Sequence, residues 1–218
     1  MFKNGKNKKN KEEIKKIYQT TVHNQSKSIN FFVELFKTVI LAILIVVPIK
    51  MFIMQPFFVD GASMEPNFHD GDYLIVKEFG YKKTVVAAGH KKIFTVTPFK
   101  NVDRGEVIVF RNPRNQNQFF IKRVVGLPGE RVVIGNGKVR IYSKENPEGF
   151  TLKEGKYLPA NVKTSPPKTI VAKDGEYVVF GDNRGNSSDS RYWGTLNSDL
   201  IIGRVSLRAW PIKDFKLY

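Results

Sequence analysis

"FFIKRVVGLPGERVVIGNGKVRIY", residues 119–142, decides the fold. Short β-branched and aromatic runs alternate here with Gly, Pro and Asn, the pattern of strands joined by tight turns. "IGNGKV" is a hairpin signal, because Asn-Gly accepts the left-handed backbone that a two-residue turn requires. The same pattern recurs in "DYLIVKEF", "GEVIVF", "GEYVVFGD" and "LIIGRVSLRAW". No segment after residue 60 carries a helix period over three turns. The chain therefore reads as mainly β, with an antiparallel, partly barrel-like domain over 59–218. "YSKENPEGFTLKEGKYLPANVKTSPPKT" (Tyr142–Thr169) is polar and rich in Pro and Gly. A structureless loop of that length is uncommon, so a lid or subdomain inserted between strands is expected.

Within "FFIKRVV", Lys122 shares a strand face with Phe120 and Val124, while Arg123 points the other way. A lysine on an apolar face either lays its stem over the surface or enters the core. In the core its charged form is disfavoured, and its pKa falls from about 10.4 to about 7–8. A neutral amine can take the proton of a serine hydroxyl, the Ser–Lys form of nucleophilic catalysis. "VDGASMEPN" (Val59–Asn67) puts Ser63 just behind a hydrophobic run, where it is either a linker residue or a nucleophile. "GDNRGNSSDSRYWG" (Gly181–Gly194) has the composition of a generic turn. Its two arginines, interleaved with acids and amides, instead suggest a hydrogen-bonded scaffold around a site. His23 lies in the leader, and His69 and His90 sit in turn-like surroundings ("FHDGD", "AAGHKK"), so a His-based triad is the weaker alternative.

The 218 residues carry a formal charge of +16 and no cysteine. Disulfides, thiolate nucleophiles and thiolate-bound metals are excluded. So basic a chain suggests nucleic acid or an anionic membrane face as partner. The hydrophobic run "TVILAILIVVPIKMFIMQPFFV" (Thr38–Val59) decides for membrane lipid and against nucleic acid. It has the roughly 20 mostly apolar residues that a span needs, interrupted by Lys50 and Gln55, with Lys50 snorkelling on its four-carbon stem. Residues 1–30, with eight lysines against two glutamates, read as a basic cytoplasmic tail. Residues 31–58 read as a single transmembrane helix, and 59–218 as an extracytoplasmic domain. The leader is too long, and lacks a small-x-small site, for a cleaved signal peptide. Ser63 is four residues beyond Val59, within about 14 Å of it, so it is expected close to the bilayer surface.

Together these residues resemble the type I signal peptidases over most of the chain. The resemblance rests on the N-terminal anchor followed by "GASMEP", "RGEVIVF", "KRVVGLPGE" and "GDNRGNSSDS" in the family's order. It implies a membrane-bound serine endopeptidase that removes signal peptides from exported preproteins, as a monomer, with no cofactor or metal. It implies Ser63 as nucleophile, Lys122 as general base, and Ser187 as the serine that hydrogen-bonds and orients the lysine. Asp182 would pair with Arg123, and Asp189 with Arg191, as loop supports. Phe57, Phe58, Gly61 and Met64 would line the substrate cleft. The family motif usually continues Ser-Met-x-Pro-Thr-Leu, whereas this chain has Asn67 and Phe68. Some members carry an oxyanion-binding hydroxyl two positions before the serine, where this chain has Gly61. The fold is also similar to the self-cleaving domains of SOS repressors, which carry a DNA-binding domain where this chain has an anchor. A non-catalytic basic membrane protein would fit charge and anchor, but gives no reason for Lys122 on an apolar strand.

Overall fold

The computed structural model describes residues 33–46, 54–88 and 91–218. Two units divide between Lys50 and Met51. In the first, residues 33–46 form helix α1, with exposed Leu41, Leu44 and Ile45. At 1.5 Å per residue its described residues run about 21 Å. Among the described residues no helix is long and apolar enough to cross a membrane. The expected tail at 1–30, and residues 47–53 of the expected anchor, lie outside the described residues. The far end of that 31–58 span needs correcting, because Met54–Phe58 form a strand, β1. Pro56 disfavours a helix interior but is tolerated in an edge strand, and β1 is an edge. Phe57 packs against the core, which fixes the strand.

The second unit is built of antiparallel strands. In chain order after β1 come β2 (Tyr73–Lys77), β3 (Thr84–Ala88), β4 (Lys91–Val96) and β5 (Val107–Asn112). Next are β6 (Asn115–Gly126), β7 (Arg131–Gly135), β8 (Lys138–Tyr142), β9 (Phe150–Thr151) and β10 (Lys168–Val171). β11 (Glu176–Phe180), the single helical turn α2 (Ser190–Trp193), β12 (Leu196–Asn197), β13 (Ile201–Trp210) and β14 (Lys216–Leu217) complete it. The large sheet has the order β1-β2-β13-β5-β6-β11-β12, with β14 on β13. A second sheet runs β10-β7-β8-β9, and β3 pairs with β4. The β7–β8 turn is Asn136–Gly137, with φ of 51° and 76°. Both lie in the left-handed region that a type I′ hairpin demands.

Both faces of the large sheet are buried, so its central strands alternate between two cores. On β5, Val107 and Val109 join Met64, Phe68, Leu74 and Val205. Ile108 and Phe110 join Val124, Val179 and Leu196 on the other face. This is the two-residue period of a strand. The second sheet closes a third cluster, in which Val132, Ile134 and Ile141 meet Val125 and Phe180. The large sheet curls: Phe57 on β1 meets Phe119 on β6 edge-on, with centroids 5.4 Å apart, although β2, β13 and β5 lie between them in the sheet. Residues 142–169 do not hang free. They contribute β9 and the first residues of β10, and bury Leu158 and Thr164.

Candidate active site

β6 changes character along its length. Asn115–Phe119 are exposed, and Lys122 is the first fully buried residue before Gly126. The hairpin with β5 sets it opposite Ile108 and leaves the side chain only 3% exposed. A lysine buried between apolar strands must point its amine at an acceptor, and this one has two. Nζ donates to Ser63 Oγ at 2.7 Å and to the Ile121 carbonyl at 2.7 Å, 5.3 Å from the Phe120 ring centroid. Burial pushes the amine down from 10.5 to about 8, against the opposing pull of the Asp189 and Asp182 carboxylates. Ser63 rides the turn after β1. Its neighbours Met64 and Phe68 are fully buried plugs, and the Phe68 N–H donates to the Met64 carbonyl. Gly61 enters that turn at φ 86°, donating its N–H to Asp70 Oδ1 at 2.8 Å.

Two arginine forks neutralise the two carboxylates near the lysine. Arg123 donates from Nε and Nη2 to Asp182 at 2.7 and 2.5 Å, and from Nη1 to the Gly105 carbonyl. Arg191 donates from Nε and Nη2 to Asp189 at 2.8 and 2.7 Å, with both side chains fully buried. Asp189 also accepts the Gly181 N–H at 2.9 Å. The forks offset part of each carboxylate's pull on the nearby amine but do not abolish it. Asn183 ties the scaffold to the Ser63 turn. Its N–H donates to the Ser63 carbonyl at 3.1 Å and its Nδ2 to the Ala62 carbonyl at 3.0 Å. Ser187 is expected to hydrogen-bond the lysine, but its Oγ is buried with no hydrogen-bond partner among the described residues. The amine is turned instead to Ser63 and Ile121, and Ser187 Oγ packs on Gly181, where an added Cβ would lie 2.2 Å from it.

The profile of the signal peptidase, peptidase S26 family matches residues 32–210. The chain belongs to this family. It is 33% identical over 189 residues to "Signal peptidase IB" of Staphylococcus aureus, covering 82% of this chain and 90% of that one. It is 30% identical over 206 residues to "Probable signal peptidase I-2" of Synechocystis sp., covering 90% of this chain and 81% of that one. A crystal structure of a signal peptidase I from Enterococcus faecalis is 30% identical, with a TM-score of 0.40 over 48% of this chain and 97% of that chain. The chain is thus a serine peptidase, a hydrolase of the type that cleaves signal peptides.

A cleft of about 420 Å³ opens beside Ser63, the one serine among the described residues of this peptidase with a buried amine on its hydroxyl. Phe57, Phe58 and Gly61 line one wall, and Phe119, Phe120 and Lys122 the other. Met64 does not line it. The residue is fully buried among Val59, Phe68 and Leu74, because the helix-like turn points Met64 and Phe68, four residues apart, to the same inner face. The Ser63 N–H makes no hydrogen bond among the described residues. Of the histidines, His69 is exposed, and His23 and His90 lie outside the described residues. Several residues of this peptidase site escaped the sequence reading. Asn67 donates from Nδ2 to Asp182 Oδ2 at 2.9 Å and to the Tyr157 carbonyl at 2.6 Å. Arg184 reaches Glu154 at 2.5 Å, and Arg191 the Ser165 carbonyl, so the 142–169 stretch buttresses the site. Glu154 gives no local signal, since its partner lies 30 residues away. Gly181 does, as the first residue of the suspected scaffold.

Proposed function

We propose that the protein is a membrane-anchored endopeptidase that removes signal peptides from exported preproteins with a Ser63–Lys122 dyad. The observation that carries this reading is the 2.7 Å contact between a buried amine and the Ser63 hydroxyl. With the amine neutral, the contact runs the other way, and Nζ accepts the Ser63 proton as Oγ bonds to the scissile carbonyl carbon. The oxyanion faces the Ser63 N–H, a donor aimed where charge develops. The carbonyl re-forms, the C–N bond breaks, and Nζ returns its proton to the leaving amine. A water deprotonated by the same amine then hydrolyses the ester. Asp182–Arg123 and Asp189–Arg191 hold the loops and do not react. No cofactor enters.

The preprotein lies extended in the cleft. β1 is the outer strand of its sheet, and β6 meets β11 only over Arg123–Gly126, so two unpaired strand edges flank Ser63. An extended peptide can add its main-chain hydrogen bonds there. The Phe57, Phe58 and Gly61 wall accepts small side chains ahead of the cut. The anchor is the apolar run that begins at Phe31 and ends before β1, with the lysine-rich tail in the cytoplasm and the β unit outside. Anchoring puts the enzyme on the surface where its substrates are themselves tethered.

The test is a detergent-solubilised preparation given a preprotein in trans. Wild type releases the mature N-terminus, and Ser63→Ala and Lys122→Ala each lower the rate by at least about 10³-fold, with membrane attachment retained. Activity surviving in Lys122→Ala overturns the dyad. Cleavage of the chain alone, with the preprotein untouched, would favour self-cleavage.

A further inference from the structure

Asn67 stands at a junction that neither the dyad nor the arginine forks explain. Its backbone belongs to the nucleophile turn, the N–H donating to the Met64 carbonyl at 3.0 Å. Its side chain leaves the turn. Both amide protons are used, one on Asp182 Oδ2 at 2.9 Å and one on the Tyr157 carbonyl at 2.6 Å. Its own carbonyl accepts Arg208 Nη1 at 3.2 Å, and that guanidinium also holds Asp72 at 2.8 Å. One half-buried amide thus joins the Ser63 turn, the 142–169 stretch and the buried Asp182.

We propose that Asn67 is a positioning residue that tunes the general base through Asp182, the third donor on a carboxylate otherwise held by Arg123. This rests on the Ser63–Lys122 reading. The charged groups around the amine come from three segments. Asp182 and Asp189 both favour its protonated form, and Arg123 and Arg191 offset them from β6 and α2. Ser63 accepts from it across the turn, while Tyr157 and Arg184 border Asp182 and Glu154 from the far side. Removing the amide of Asn67 leaves Asp182 with the Arg123 fork alone. Its negative charge is then less spent, the lysine keeps its proton to higher pH, and less of the enzyme carries a free base at neutrality.

The experiment is the pH dependence of kcat/KM on a preprotein for wild type, Asn67→Leu and Asn67→Asp. For Asn67→Leu the acid limb moves up by about half a pH unit. Its rate at pH 7 falls about threefold and recovers fully at high pH, with KM unchanged. Asn67→Asp sets a second carboxylate against Asp182, so its limb moves further in the same direction. A purely structural role would lower the rate equally at every pH and leave the limb in place; that result overturns the proposal. Should Asn67→Leu fail to fold, the similarly sized Asn67→Asp decides alone, by whether its limb moves. A wild type without an acid limb would sink the dyad itself, whereas a normal wild-type limb unmoved in both variants sinks only the role of Asn67.

Discussion

At the scale of single residues, one proton decides activity. In the proposed dyad the lysine serves as base only when neutral, and burial has brought it to about 8. kcat/KM should therefore fall about tenfold for each pH unit below that value, and rise to a plateau above it. A profile flat down to about pH 5, below the lowered lysine range, would remove Lys122 from the reaction. Gly181 sets position rather than charge. A Cβ there would lie 2.4 Å from the Ser63 carbonyl oxygen and 2.2 Å from Ser187 Oγ. Since the Ser63 oxygen is backbone, the Ser63 turn has to move. Gly181→Ala should cut kcat about 10²-fold, the scale of a 1 Å misplacement. Unchanged kcat would mean that the turn yields elsewhere. The pairing of the two side chains was in part legible beforehand. Lys122 announced itself as a charge in an apolar strand and Ser63 by its place after the greasy run. Met64 and Ser187 were assigned by resemblance, and rotamer and turn direction, which a motif does not encode, placed one in the core and left the other unbonded.

At the scale of elements, β1 and β6 matter most. The alternating pattern was enough to read strands, and Asn136–Gly137 made the hairpin. It was not enough to place β1, because "MQPFF" follows the apolar run without a charge to mark the boundary, and pairing with β2 is what defines the strand. The role of 142–169 was illegible for a related reason. Its partners Arg184, Arg191 and Asn67 are remote in sequence, and no local period marks a bond such as Asn67 to Tyr157. If substrates bind by extending β1 or β6, main-chain donors carry affinity. Methylating one backbone nitrogen that pairs with either strand should raise KM about fivefold, the worth of about 1 kcal/mol for one hydrogen bond. Peptides methylated at successive positions, assayed for KM, should then show an alternating response, because strand hydrogen bonds face one partner at every second residue. Uniform tolerance would argue that the peptide is held by its side chains.

At the scale of the whole molecule, the site weakens the fold that carries it. Below about pH 8 the Lys122 amine is charged in both folded and unfolded chains, and the folded chain bears the full cost of its burial. Between about 8 and 10.5 the unfolded chain binds a proton that the folded chain has released, so stability rises with pH. The shift corresponds to about 3 kcal/mol. Burying one or two neighbours such as Val124 and Phe110, at about 1.5–3 kcal/mol each, offsets it. Lys122→Met should therefore unfold at a higher temperature than wild type at pH 7, with the difference shrinking by pH 10. A variant less stable than wild type at pH 7 would contradict the assigned burial cost. The curled sheet has one more consequence. An opening flanked by two bare strand borders is an invitation to any unfolded polypeptide, sister copies included. Pro56 brings no N–H to its border and so interrupts the zipper, limiting adhesion to a few residues. The gate admits a short slack stretch beside a cleavage point and discourages clumping among crowded neighbours.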